Sequence, residues 1–472
     1  MVKDFLRKLL MFLLPAAVFL LFTLLGREYS VQQTHVRIFL GIGIMAIQGL
    51  LFSQYREIFK KGGLAFVLMP YLCFLAFEWV RFNRGLFLIF SGRAQDDWFL
   101  IRQHLDAPYV WFGYLVFFLI FYNAACSKKS HTLLMVSFVW SAFFVAINVL
   151  PPLLMTGKPV YLVHNSPTAS LWPILYHFKW LGTYIFSRFG HENMLGDVLG
   201  FGIFPAFAIA AYAFHLLKIK KNQDPLMKSD RFFARGWPLV SLYLMLGFTM
   251  FAAILLLFSR GSILAFFITL GVFSIAWAAK SISKKNIIIL VGFFAGLLVF
   301  SVWAGSLKEA LTEVMTVSQE KGQEGSSSYA NKRGSEIAIE ITKKEWPWGT
   351  GKYGFGIVAK QIDQSWRKPS GFKAFHGTAN NHYLQVLAEE GAGAIPYYLF
   401  LIFCIYRIIA GLVTTKSRYK FLMGLGSFCS ALMVLIHTSF HFLMDGFAVG
   451  VLVFSALGMS LGVLNKTFQH DA

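Results

Sequence analysis

Apolar blocks of about 17–24 residues recur along the chain, the length that spans a hydrocarbon core of about 30 Å. Backbone polar groups in lipid must hydrogen-bond within their own segment, so such blocks fold as α-helices. Of the 472 residues, 57% are hydrophobic and only 14% are charged. Soluble domains carry about one quarter charged residues. The sequence therefore predicts an all-α polytopic membrane protein.

We predict about twelve transmembrane helices. The first block follows Lys3, Arg7 and Lys8 as in a signal peptide, but it has no small-residue cleavage site, so we expect it to be retained. The predicted spans are Leu9–Leu25, Val36–Phe52, Leu64–Val80, Tyr109–Cys126, Thr132–Leu150, Met194–Leu217, Trp237–Phe258, Ser262–Ala279, Asn286–Ala304, Ala392–Ala410, Phe421–His437 and Phe447–Leu464.

Alternate turns between these blocks are basic, which is typical of loops on the cytoplasmic side. Both termini are therefore predicted to be cytoplasmic. The predicted inner turns are 53–63, 127–131, 218–236, 280–285 and 411–420. The outer segment 81–108 fits this rule least well, because it carries four arginines. An amphipathic helix at the interface, or an error in the helix count, would explain it.

One predicted outer loop, Gly305–Gly391, is about 87 residues long, and loops of that length are usually functional. The chain accordingly divides into residues 1–304 with nine helices, the loop 305–391, and residues 392–472 with three helices. Within the loop, Ser335–Lys344 has the pattern of an amphipathic helix. Gly349–Gly356 is interpreted as a tight turn, because a nucleotide loop requires a preceding strand and a following helix that we do not predict.

The net charge of +20 is explained by the basic inner turns, so we do not expect nucleic acid as a partner. The four cysteines lie in or beside apolar blocks and none has metal-ligand spacing. We expect neither a disulfide nor a metal site.

Two arginines are candidates for binding an anionic substrate. Arg260 lies at the predicted outer end of two spans, where an arginine without function would extend to the lipid headgroups. Arg333 lies in the long loop, where an arginine without function would be a solvated surface charge. A guanidinium is permanently charged and binds phosphate oxygens in pairs, which suits a diphosphate.

His382 and His376 are the candidate general bases, because neutral imidazole accepts protons near pH 7. Either histidine could instead cap or pack the helix that follows. Glu389 and Glu390 are adjacent, so on a helix they point about 100° apart and do not form a paired-carboxylate site.

Four segments together resemble the O-antigen ligase family, which includes O-antigen polymerases and protein O-oligosaccharyltransferases. They occur in the family's order over the second half of the chain. The segments are RFGHENMLGDVLGFGIFP (Arg188–Pro205), SRGS (Ser259–Ser262), the run from Arg333 to GTGKYGFG (Gly349–Gly356), and NNHYLQVLAEEGAGA (Asn380–Ala394).

The resemblance implies a metal- and cofactor-independent enzyme on the periplasmic face of the bacterial inner membrane. It implies transfer of a glycan from a polyprenyl diphosphate, such as undecaprenyl diphosphate, to an acceptor hydroxyl. Arg260 and Arg333 match the arginines that hold the donor, and we also expect Arg188 to bind substrate.

The chain departs from the family at the catalytic histidine. The family pattern is His-Asn, nine residues, then Gly, and counting back from Gly391 reaches Asn380 and Asn381. His382 is therefore the first candidate for the base, His376 the second, and orientation of the acceptor by Asn380 or Asn381 the third.

The acceptor separates two versions of this function, a ligase that uses lipid A-core and a polymerase that uses a growing lipid-linked chain. A transporter or flippase for lipid-linked sugars is the alternative from another class. It should show paired repeats or a charge in the middle of a span. Asp197 and Glu78 are the acidic residues within the apolar blocks, and both are predicted to lie near helix ends.

The topology predicts that Ser326 faces the outside and Ser283 the inside. In a chain without its four native cysteines, an impermeant thiol reagent should label a cysteine at position 326 and spare one at 283. The reverse labelling pattern would overturn the topology.

Overall fold

The computed structural model describes residues 63–90, 98–156, 192–220, 232, 236–257, 259–281, 327–352, 354–362, 378–439 and 447–465, together with Leu13 and Val18. These residues form helices and connecting turns. The helices are α1 Gly63–Phe90, α2 Trp98–Ala124, α3 Lys128–Thr156, α4 Glu192–Lys220, α5 Trp237–Leu256, α6 Arg260–Ser281, α7 Ser327–Glu345, α8 Phe355–Ile362, α9 His382–Glu390, α10 Ala394–Thr414, α11 Arg418–His437 and α12 Phe447–Leu464.

Seven helices in the described part of the chain are long and apolar enough to cross a membrane, and two shorter apolar helices lie in α2 and α12. They coincide with nine of the predicted spans. The predicted spans Leu9–Leu25, Val36–Phe52 and Asn286–Ala304 lie outside the described residues, apart from Leu13 and Val18. The total of twelve therefore stays a prediction.

The predicted ends of α1 and α2 were wrong. α1 continues past Val80 to Phe90, and α2 begins at Trp98, so most of the segment 81–108 extends these two helices and does not form a separate interfacial helix. Glu78 consequently lies in the middle of α1. The prediction ended α1 at its first arginine, but Arg81 is neutralised inside the protein and the helix does not need to stop there.

Helices α4 and α11 form the centre of the bundle. Their apolar spans are 89% and 83% buried, against 33–50% for the other five spans. α4 packs against α3, α5 and α11, while α12 packs against α2 and α11. Gly458 and Gly462 bring α12 against backbone carbonyls of α2, since a Cβ at either position would overlap that backbone. Small residues allow such close helix contacts in membranes.

Two predicted inner turns meet at one end of the bundle. Lys280 Nζ, at the end of α6, donates to the carbonyl of Thr415 at 2.6 Å and to that of Leu412, where α10 ends. Arg418 donates in turn to the carbonyl of Lys280 at 2.9 Å. The cations thus satisfy carbonyls that a helix C-terminus leaves without intrahelical partners.

The described part of the long loop has a small hydrophobic core of its own, separate from that of the bundle. α7 is the predicted amphipathic helix, and it begins earlier than expected, at Ser327. α8 begins at Phe355, within the predicted turn Gly349–Gly356, so the expectation that no helix follows this turn was wrong. The core residues are Ile337, Ala338, Ile341, Phe355, Val358, Ala359, Ala379 and Ala388.

Backbone hydrogen bonds attach the glycine turn to the C-terminal end of α9. The amides of Thr350 and Gly351 donate to the carbonyls of Ala388 and Glu389 at 3.1 and 2.9 Å. Gly349 has φ 68°, a left-handed conformation that favours glycine. A Cβ on Gly349 would also overlap the backbone of Glu389. The turn and α9 can approach this closely only with glycine at this position.

We predict that Gly349→Ala lowers the melting temperature of the purified protein, because it adds both backbone strain and overlap. Gly271→Ala is the matched control. Gly271 lies in helix α6, and a Cβ there would have no neighbouring atom within 4 Å. Alanine is favoured over glycine in helices by about 1 kcal/mol, so the control should melt at the wild-type temperature or above. Equal melting of the two variants would contradict this reading of the turn.

Candidate active site

The entry to α9 is a sharp, non-helical turn that carries the residues singled out in the sequence. Asn380 has φ 49° and Asn381 is extended, with φ −148° and ψ 110°. The Asn381 side chain caps α9 by accepting from the amide of Leu384 at 3.1 Å. Because the chain turns here, Asn380 and His382 are not related by a regular helical rotation.

His382 is the first residue of α9 and is fully buried. Its Nε2 lies 3.1 Å from the hydroxyl of Tyr397 on α10. Its backbone amide donates to the carbonyl of Thr438 at 2.9 Å. The imidazole therefore lies at the junction of the loop and the bundle, directed towards α10.

The C-terminal end of α11 holds the α9 entry in place. Asn381 Nδ2 donates to the carbonyl of Ser439 at 3.0 Å. The Tyr383 hydroxyl donates to the carbonyl of Leu435 at 2.8 Å. Together with the His382–Thr438 bond, three consecutive residues of the loop are bonded to one helix terminus.

Arg333 lies on α7 close to this entry. Its neighbour Gly334 packs against the backbone of Thr378 and Ala379, immediately before Asn380. The Arg333 side chain is one-third exposed and donates to Glu336 at 3.2 Å. A guanidinium placed here can reach an anion outside the protein.

Arg260 is the first residue of α6, and its neighbours Ser259 and Ser262 are buried. The backbone of Arg260 is described, while its side chain is not. His376 and Arg188 lie outside the described residues. Asn380, Asn381 and His382 are consecutive in the chain, and the fold brings Arg333 close to them.

A buried charge cluster fixes the other end of α9. Arg81 on α1 donates to Glu78 at 2.9 Å, to the Glu390 carboxylate, and to the carbonyl of Glu389 at 3.1 Å. Trp111 Nε1 on α2 donates to the second oxygen of Glu390 at 3.1 Å. Both oxygens of this glutamate are thus used to attach α9 to the bundle.

Further polar side chains continue from this cluster towards the α9 entry. The Lys352 ammonium lies 4.6 Å from the centre of the Trp111 ring and is buried. Gln385 donates to Glu389 at 2.9 Å and accepts from the amide of Ala379 at 2.9 Å. These contacts link the glycine turn, α9 and the residue before Asn380.

Three residues of this site, Arg81, Trp111 and Lys352, were not among the candidates from the sequence. Arg81 did leave a signal, because an arginine in a predicted outer segment contradicted the positive-inside rule. Its pairing with Glu390 could not have been inferred, since the two residues are 309 positions apart. In the described part of the chain, no three His, Cys, Asp or Glu side chains converge as a metal site would require.

Comparison with known families supports the resemblance noted in the sequence. A family model described as O-antigen ligase matches residues 245–395, which include Arg260, Arg333, the glycine turn and α9. The resemblance to the O-antigen ligase family is thus confirmed over this region, about a third of the chain. A search of curated proteins finds no match to the chain.

Proposed function

We propose that this protein, whose residues 245–395 match the O-antigen ligase family model, is a membrane glycosyltransferase of the O-antigen ligase and polymerase type. Its donor is a glycan on a polyprenyl diphosphate, and its acceptor is a sugar hydroxyl of lipid A-core. A growing lipid-linked chain as acceptor is the polymerase version of the same reaction. The active site faces the periplasm from the bacterial inner membrane.

The main support for this proposal is the position, within the bundle, of the segments that resemble the family. α6 begins at Arg260, and the basic contacts of Lys280 lie at its other end, about 30 Å away along the helix. The ends of α6 and α11 that contain Ser262 and His437 are in contact, and α11 also binds the α9 entry. The segments that resemble the family therefore gather at the end of the bundle opposite the basic turns.

The reaction is a direct displacement at the anomeric carbon. The acceptor oxygen forms a bond to this carbon while the bond from carbon to phosphate oxygen breaks, which inverts the linkage. The acceptor proton passes to a base, for which His382 is the first candidate. Polyprenyl diphosphate leaves as an anion whose charge Arg260 and Arg333 stabilise.

His382 is fully buried in this structure, so the proposal requires that bound substrate opens a path to its imidazole. The Tyr397 hydroxyl can donate to or accept from Nε2 of His382, and this contact fixes the orientation of the imidazole. Asn380 occupies the family's histidine position, has a left-handed backbone conformation, and follows the Thr378–Ala379 backbone that packs against Gly334. An amide there can orient a hydroxyl, and it has no basic nitrogen to accept the proton.

We predict that Arg260→Ala and Arg333→Ala raise the KM for the lipid-linked donor, because each removes a bidentate phosphate contact. Arg→Lys at either position should restore activity only partly, since lysine lacks the planar fork. Lys332→Ala is the control, because Lys332 is an exposed cation beside Arg333. Transfer from a labelled polyprenyl-diphosphate glycan is the measurement, and full activity in both lysine variants would contradict bidentate binding.

General-base catalysis contributes about 10²–10⁴-fold, so His382→Ala should lose activity on that scale while donor binding persists. His376→Ala should lose much less. Tyr397→Phe removes the hydroxyl partner of His382 and keeps the ring, so any loss of activity it causes measures the contribution of that hydrogen bond. Transfer and bound donor are measured separately for each variant. An inactive His376→Ala beside a nearly normal His382→Ala would assign the base to His376, and activity in both would direct mutagenesis to Asn380 and Asn381.

A further inference from the structure

A buried acid–histidine pair lies at the same end of the bundle as the candidate site. His437 Nδ1, at the end of α11, is 2.7 Å from Asp197 Oδ1 on α4, and both side chains are fully buried. Neither residue lies in the region matched by the family model. A buried carboxylate is costly unless it is paired and hydrogen-bonded, so Asp197 on α4 requires a partner, which His437 on α11 provides.

The pair continues into the helix that carries Arg260. Ser262 Oγ lies 3.4 Å from His437 Nδ1, and the hydroxyl oxygens of Ser259 and Ser262 are 2.7 Å apart. The Ser259 hydroxyl donates to the side-chain oxygen of Asn193 near the beginning of α4. The two serines flank Arg260 and Gly261, so these bonds fix the first turn of α6.

The pair also continues into the α9 entry. Thr438 follows His437 directly, and its carbonyl accepts from the amide of His382 at 2.9 Å. The next carbonyl, of Ser439, accepts from Asn381 at 3.0 Å. A continuous series of polar contacts and adjacent residues thus runs from the flanks of Arg260 to His382.

We propose that Asp197 and His437 are positioning residues, which hold the beginning of α6 in register with the beginning of α9. The inference deepens the proposed function, since it concerns the distance between the donor-binding arginine and the acceptor-activating turn. Neither residue needs to touch substrate. Misplacement of reacting groups by about 1 Å costs on the order of 10² in rate, so such a link controls turnover more than binding.

The main test variant is the double substitution Asp197→Leu with His437→Leu. Replacing both members of a buried pair by apolar residues leaves no unpaired charge and is often neutral for stability. The matched control is Ser430→Ala, because Ser430 also connects α11 to α4, through the carbonyl of Phe201 at 3.4 Å. Ser430 contacts neither flank of Arg260 nor the α9 entry.

We expect the double variant to keep its melting temperature and its donor KM, and to lose about 10–100-fold in kcat. Ser430→Ala should keep the wild-type kcat. Asp197→Asn retains an oxygen acceptor for His437 and should stay within about threefold of wild type. Wild-type kcat in the double variant, or an equal loss in Ser430→Ala, would overturn the inference.

Ser262→Ala keeps the test decisive if the double variant does not fold. It removes the link to α6 without leaving a buried charge, and it should lower kcat by at least about threefold. Wild-type kcat in Ser262→Ala would overturn the inference. The loss should appear with donor KM unchanged, a split that general destabilisation would not produce.

A distance measurement separates this inference from the proposed function. Spin labels at Ile275 on α6 and Lys332 on α7, both exposed, report the placement of α6 relative to the loop. Cys73 must be replaced, while Cys126, Cys404 and Cys429 are buried. The double variant or Ser262→Ala should broaden or shift the distance distribution, and Ser430→Ala should not. If the wild-type protein transfers no glycan, the proposed function fails. If the distance distribution is unchanged in the double variant and in Ser262→Ala, the positioning role is overturned whether or not the protein transfers glycan.

Discussion

Charge inside a lipid-facing bundle must be paired, and the arrangement of this protein depends on where those pairs form. Arg81 lies between two carboxylates and also binds a backbone carbonyl of α9. Removing one partner of such a buried pair costs roughly 3–5 kcal/mol, because it leaves an uncompensated charge. The pair between Arg81 and Glu390 therefore fixes the C-terminal end of α9 on the membrane helices.

The N-terminal end of α9 is fixed independently, by carbonyls at the end of α11. A nine-residue helix is marginal in water on its own, so its order here comes from tertiary contacts at both ends. The glycine turn closes over its last residues through two further backbone bonds. α9 thereby becomes a rigid support for Asn380, Asn381 and His382, as the proposed chemistry requires.

Hydropathy located the membrane helices well but misplaced their ends. It stopped α1 at Val80 because Arg81 is charged, whereas the helix runs on to Phe90. One counter-charge for Arg81, Glu78, is three residues away in the same helix, but the other, Glu390, is 309 positions away and belongs to no local pattern. The same limit applied to His382, which was chosen because it is the titratable residue nearest to the family's histidine position. Its direction towards Tyr397 follows from the non-helical turn at Asn380, which is a feature of the tertiary structure.

The sequence by itself determined that this chain is a helical membrane protein, because hydrocarbon leaves long apolar blocks no other fold that satisfies their backbone. It also determined the order of the O-antigen ligase motifs, since those are read one residue after another. Only the tertiary structure decided which residues share the site end of the bundle. Arg81 with Glu390, and Asp197 with His437, are contacts between remote segments. Such contacts depend on how helices pack, and packing is a property of the whole bundle.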